Sequence, residues 1–296
     1  MSRFYDALRE ANRLREGVSE VQELNWEQHD TPVANDSSAP SVDAFLGLGT
    51  DAARPSSERE AVESQSIALV QHPVTRTFNR KALIRNAVDP LVMEQYRRLR
   101  TRIIQYHSKD AFRSLVVTSP SPEEGKTVTV LNLALSFAML PSFKVLVVDG
   151  DLRRGSLGKW LGVGERPGLS NLIEGSATLS EVVLKSDAVP IHLIGCGTSK
   201  TPAGELLQSS ELRRHFQKMT EQFALVLVDS PPVNLITDAQ LLAGSCDGVI
   251  LVTRAFSTTR KSLERAVQDL QPFRVIGTIL NGATRSQLSS RYKGYY

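Results

Sequence analysis

The chain has 296 residues, and its 35 Lys and Arg against 32 Asp and Glu leave a formal charge of +3. That excess is too small and too dispersed to form the basic stripe of a nucleic-acid site, so no nucleic-acid partner is expected. Two cysteines in unrelated contexts, Cys196 and Cys246, argue against a disulfide framework and for a reducing compartment. No apolar run approaches the roughly 20 residues of a membrane span, and the N-terminus lacks a secretory apolar core. The expectation is a cytoplasmic protein that meets a membrane only through a partner.

The pattern divides the chain at about residues 75 and 285. In region 1–75, "SRFYDALREANRLRE" (2–16) sets Phe4, Ala7, Leu8, Ala11 and Leu14 on one helical face. It reads either as a docking helix for a partner or as a marginal helix at a frayed terminus. From about residue 25 to 75 the chain turns to Ser, Pro, Ala, Asp and Glu, as in "DTPVANDSSAP". Such a stretch buries too little apolar surface to offset its chain entropy, which predicts a disordered linker.

Region 76–285 alternates helix and strand signals. Asp89 and Pro90, as N-cap and first helical residue, start a helix that runs to Tyr106. Strands are predicted at 113–118, 144–149, 191–194, 223–229, 247–253 and 274–280, and helices near 126–140, 202–220, 235–244 and 258–270. Near-continuous Val, Ile and Leu strands between helices predict an α/β fold, a doubly wound and mostly parallel sheet covered on both faces. Ligands bind such sheets at the carboxyl ends of the strands. Region 286–296 is a short tail holding Tyr292, Tyr295 and Tyr296.

Three strand ends carry chemistry. In "TSPSPEEGKT" (118–127), Gly125-Lys126-Thr127 opens a helix after a strand. Backbone amides and a helix N-terminus cradle phosphates there, the lysine bridges β- and γ-phosphates, and the hydroxyl binds Mg²⁺. Pro120 occupies the position of the first glycine of the G-x-x-x-x-G-K-[ST] pattern. In "VLVVDGDLRR" (145–154), Asp149 and Asp151 leave a buried strand, a costly placement unless a cation or a proton-bearing substrate uses them. In "LVLVDSPP" (225–232), Asp229 ends another such strand, where a carboxylate holds Mg²⁺.

These three segments resemble the Walker A, A′ and B motifs of the bacterial tyrosine kinases of capsule and exopolysaccharide systems, and the resemblance extends through most of residues 88–285. It implies a P-loop NTPase-type fold. ATP and Mg²⁺ would be held by Pro122, Glu123, Glu124, Gly125, Lys126, Thr127 and Val128, with Thr127, Asp151 and Asp229 at the metal. Lys126, Asp149, Asp151 and Arg153 would be catalytic, Asp151 as the base. "EQYRRLR" (94–100) reproduces an E-x-x-R-x-x-R pattern, so Glu94, Arg97 and Arg100 are implied to dock neighbouring subunits into a ring. "RYKGYY" (291–296) resembles the autophosphorylated tyrosine cluster. The implied partners are further copies of the chain, an inner-membrane co-polymerase of polysaccharide export and an opposing tyrosine phosphatase.

Three departures stand out: Glu123 where glycine is usual, Gly155-Ser156 where a proline is usual, and a short tail. Two other functions fit the motifs. One is a nucleotide-switch ATPase, against which stands the absence of a lysine in residues 118–124. The other is a kinase-like scaffold, for which Glu123 is the motive.

Overall fold

A computed structural model describes residues 90–109, 112–140, 143–161, 165–185 and 191–283. The expectations for residues 1–75, for the cap at Asp89 and for Tyr292, Tyr295 and Tyr296 lie outside these residues. The described chain runs α1 (Pro90–Lys109), β1 (Ser114–Thr118), α2 (Lys126–Ala138), β2 (Val145–Asp149), α3 (Ser156–Leu161), α4 (Leu169–Glu174), α5 (Leu179–Val182), β3 (Leu184–Lys185), β4 (His192–Ile194), α6 (Ala203–Gln208), α7 (Ser210–Gln222), β5 (Leu225–Asp229), α8 (Asp238–Ala243), β6 (Gly248–Arg254), α9 (Arg260–Asp269) and β7 (Val275–Asn281).

Seven strands form one sheet in the order β3-β4-β2-β5-β1-β6-β7. All neighbours are parallel except β3 and β4. The period of two explains why β1, β2 and β5 carry consecutive apolar residues on both faces, with polar residues only at their ends. Leu115, Val117, Val145, Val147, Leu225 and Leu227 point to one face and pack against α1, α2 and α3. Val116, Leu146, Val148, Val226 and Val228 point to the other, against helices from α4 to α8. On that second face Val249 and Leu251 of β6 pack under α8 and α9. A strand covered on both sides presents apolar side chains to both faces, and every residue of these three strands is buried, the polar ones at their ends included.

Two expectations need correction. The single helix predicted over 202–220 is two helices, α6 and α7, parted at Ser209. Its extended backbone ends the first, and its hydroxyl accepts from the Glu211 amide to cap the second. Residues 150–190, assigned no helix from sequence, hold α3, α4, α5 and the antiparallel β3. Each is shorter than two helical turns or is a two-residue strand, too short for a hydrophobic period to emerge. Among the described residues no helix is long and apolar enough to cross a membrane, and Cys196 and Cys246 are free thiols.

Candidate functional site

The loop from β1 to α2 begins beside the other chemistry-bearing strand ends because β1 pairs with β5, and β5 with β2. Asp149 and Asp229 stand directly opposite each other in the β2–β5 register. Gly125, at φ 94°, is the N-cap of α2 and offers no side-chain cap, so the first amides of a 13-residue helix are left for an anion. A Cβ on Gly125 would come within 1.9 Å of the Asn281 amide nitrogen. That nitrogen, at the end of β7, donates to the Glu124 carbonyl at 2.9 Å.

Glu123 occupies the left-handed region with φ 61°, a conformation that costs a side chain roughly 1–2 kcal/mol and explains why glycine is usual there. The turn is held from β6, where the Arg254 guanidinium donates to the Glu123 carbonyl at 3.0 Å. The Glu124 carboxylate is buried, accepting from the Thr258 hydroxyl at 2.6 Å and from the Ser121 amide at 3.2 Å. Burial pushes its pKa up, with Thr258 pulling the other way. Pro122 and Glu123 are exposed, whereas Lys126, Thr127 and Val128, the first three residues of α2, are half-buried.

The Thr127 hydroxyl donates to Asp229 Oδ2 at 2.6 Å. The other carboxylate oxygen, Oδ1, is buried and has no hydrogen-bond partner. Burial raises the Asp229 pKa to about 6, opposed by Thr127 and by the charge of Lys126. Asp149 is raised further, to about 7, first by burial and then by facing Asp229. Its oxygens accept from the amides of Leu157 (2.9 Å) and Asp151 (3.3 Å), and Asp151 in turn accepts from the Arg154 amide at 3.1 Å. The loop then turns at Gly155, φ 59°, where a Cβ would lie 2.6 Å from the Cys196 sulfur. That contact and that backbone account for a glycine at this turn into α3.

Thr127, Asp149, Asp151 and Asp229 therefore share one strand-end cluster, with Lys126 close enough to act on Asp229 electrostatically. A buried oxygen without a partner, beside a hydroxyl and facing a second carboxylate, suits a hard divalent cation. Arg153 is placed differently: half-exposed, it makes a two-pronged ion pair to Asp238, the first residue of α8 (Nε–Oδ2 2.8 Å, Nη2–Oδ1 3.2 Å). Asp238 is 1% exposed. On α1, Glu94 pairs with Arg97 and Arg98 of its own helix, both at 3.6 Å. Arg100 donates instead to the Ser136 carbonyl near the end of α2. Sequence reasoning missed Asp238, Arg254, Thr258 and Asn281. Their signal is faint, a polar residue just at or beyond the end of a strand, or opening the helix after one.

No family model matches the chain. The tyrosine-protein kinase CpsD of Streptococcus agalactiae is 31% identical over 196 residues, 65% of this chain and 83% of CpsD. The tyrosine-protein kinase ptk of Acinetobacter johnsonii is 31% identical over 200 residues, 67% of this chain, which spans only 27% of that longer protein. The kinase domain of the Escherichia coli tyrosine kinase ETK matches with a TM-score of 0.62 at 29% identity, over 65% of this chain and 76% of that domain.

Proposed function

This chain belongs to the bacterial protein-tyrosine kinases, and we propose that its strand-end cluster transfers the γ-phosphoryl group of ATP to a tyrosine hydroxyl. One observation carries the reading most: the Thr127 hydroxyl on one oxygen of Asp229, with the other oxygen buried and unpartnered beside Asp149. Thr127, Asp151 and Asp229 would hold Mg²⁺, which when bound would offset the charge on the β- and γ-phosphates. The uncapped amides at the start of α2 and the Lys126 ammonium hold the phosphate oxygens.

The acceptor hydroxyl, with an ordinary pKa of about 10, gives its proton to the Asp151 carboxylate as its oxygen bonds to the γ-phosphorus. The bond from that phosphorus to the β-phosphate oxygen breaks, and ADP leaves with its electron pair. Asp149 stays fixed by its two amide donors and keeps the loop that bears Asp151 in place. Arg153 acts through Asp238 rather than on the phosphates, because its guanidinium is already engaged there.

The acceptors are Tyr292, Tyr295 and Tyr296 of a neighbouring copy, in a ring to which Glu94, Arg97 and Arg100 contribute. The chain serves capsule or exopolysaccharide export in the cytoplasm, beside an inner-membrane co-polymerase, and a phosphatase resets it. Incubating the protein with ATP and Mg²⁺ and mapping phosphotyrosine by mass spectrometry tests this reading. Phosphate on the tail supports it, and ATP hydrolysis without phosphotyrosine would replace it with a nucleotide switch. For the ring, Arg97→Ala is the cleaner variant, since Arg100 also ties α1 to α2. An Arg97→Ala protein with unchanged mass by light scattering removes that residue from assembly.

A further inference from the structure

Among the described residues two non-glycines hold a left-handed backbone: Glu123 at φ 61° and Phe256 at φ 62°. Strained residues persist where the surroundings hold them, and they concentrate at functional sites. Both belong to the same rim. Glu123 lies on the phosphate-binding loop, and Phe256 lies on the turn between β6 and α9. The Arg254 guanidinium bridges the two segments by donating to the Glu123 carbonyl. Thr258, two residues past Phe256, donates to Glu124.

Neither strained side chain serves the fold. Phe256 is 84% exposed, the most exposed of the large apolar side chains described. Glu123 is exposed too, while its neighbour Glu124 is buried and takes the structural hydrogen bonds. The rim of the site thus presents a free carboxylate and a bare aromatic ring, on adjacent loops, beside the amides assigned to the phosphates.

The tail has the complementary chemistry. Residues 291–296 read Arg-Tyr-Lys-Gly-Tyr-Tyr, with a cation on each side of Tyr292, and residues 284–296 contain no acidic side chain. Resting on the kinase reading, we propose that Glu123 and Phe256 form an acceptor-recognition surface that selects tyrosines flanked by basic residues, its occupant being Arg291–Tyr296 of a second copy of the chain. Glu123 faces Arg291 or Lys293. Phe256 takes the aromatic rings or the cations of the same segment over its face. The extra carboxylate beside the polyphosphate then works for selection: the acceptor's cations neutralise it as they arrive.

The test uses the full-length protein with ATP, Mg²⁺ and two peptides, RYKGYY and its charge-reversed form EYEGYY, with phosphotyrosine on each read by mass spectrometry. The ratio of kcat/KM for the two peptides is the readout, because any change in nucleotide binding cancels from it. Wild-type protein is expected to favour the basic peptide roughly fivefold or more at low salt, and less as salt screens the pair. Glu123→Lys should invert the ratio. Phe256→Ala should raise KM for the basic peptide roughly threefold, more than it lowers kcat. Equal use of both peptides by wild-type protein, or a ratio unmoved by Glu123→Lys with KM unmoved by Phe256→Ala, overturns the proposal. Phosphorylation of neither peptide nor tail overturns the kinase reading instead.

Discussion

The two ends of the central sheet both carry aspartates, and they treat them oppositely. At the amino end, Asp247 Oδ2 accepts from the amides of Arg113 and Ser114 at 2.7 and 2.8 Å, and from the Ser114 hydroxyl at 2.8 Å. That carboxylate ties the start of β6 to the start of β1 with fixed donors. At the carboxyl end, Asp229 keeps a buried oxygen without a partner, and Asp149 faces it across the ladder. Burial pushes the pKa values of both upward, and the facing Asp229 adds to the rise at Asp149, which reaches about 7. A carboxylate that only holds a fold is given its donors in advance. One that receives a cation or a proton leaves capacity open, and the folded protein carries the cost until the ligand arrives.

The contrast is broken or sharpened by substitution at each end. The largest effect is expected from Lys126→Ala, which should reduce phosphoryl transfer by roughly 10³-fold or more while leaving the melting temperature nearly unchanged, since in the proposed role the ammonium acts on phosphates and not on the core. Asp151→Asn keeps the shape and removes the basicity. A fall in kcat of roughly 10²-fold is expected from single-turnover measurements, and wild-type rates would take Asp151 out of the mechanism. At the opposite end, Asp247→Ala should cost about 2–3 kcal/mol in denaturant unfolding, because it strips one acceptor from three donors, yet leave kcat per folded molecule intact. If that variant loses rate without losing stability, the two ends do not divide the labour as described.

Smaller effects probe the link between the loop after β2 and α8. Asp238→Asn and Arg153→Ala should each lower kcat roughly tenfold, and the double variant should be no worse than either single one, as a shared ion pair requires. A loss confined to Arg153→Ala would place its guanidinium on the phosphates. The smallest effect concerns pH. Asp149 and Asp229 are raised above the ordinary carboxylate value, so the folded state binds their protons more tightly than the unfolded one. Without Mg²⁺, stability should fall as pH rises from about 4 through the folded values of about 6 and about 7. Added Mg²⁺ should therefore raise the melting temperature by a few degrees more at pH 8 than at pH 5.5. An equal increment at both pH values would argue that the cation binds elsewhere.

How far sequence reading reached depended on the length of each signal. β1, β2 and β5 were legible to within about two residues because runs such as "VLVV" before Asp149 are apolar at consecutive positions, a pattern of strands covered on both faces. The chain between Asp151 and Ile191 was not legible, since α3, α4 and α5 have six, six and four residues. Ser209 was misread for a related reason. Apolar spacing continues across it, and the break lies in one residue's backbone rather than in the pattern.

Composition and period by themselves determined the α/β class, the parallel sheet, and the strand ends at which Lys126, Thr127, Asp149, Asp151 and Asp229 would lie. These are properties of adjacent residues, and local sterics with side-chain alternation suffice to specify them. Only the tertiary structure decided what each side chain faces. Asp229 is left with an open oxygen, Arg153 is drawn to Asp238, 85 residues along the chain, and Arg254 with Asn281 holds a loop more than 130 residues away. Strand order sets those meetings. The order β2-β5-β1-β6-β7 differs from chain order, so residues remote in sequence converge at one edge, where no local pattern records the encounter.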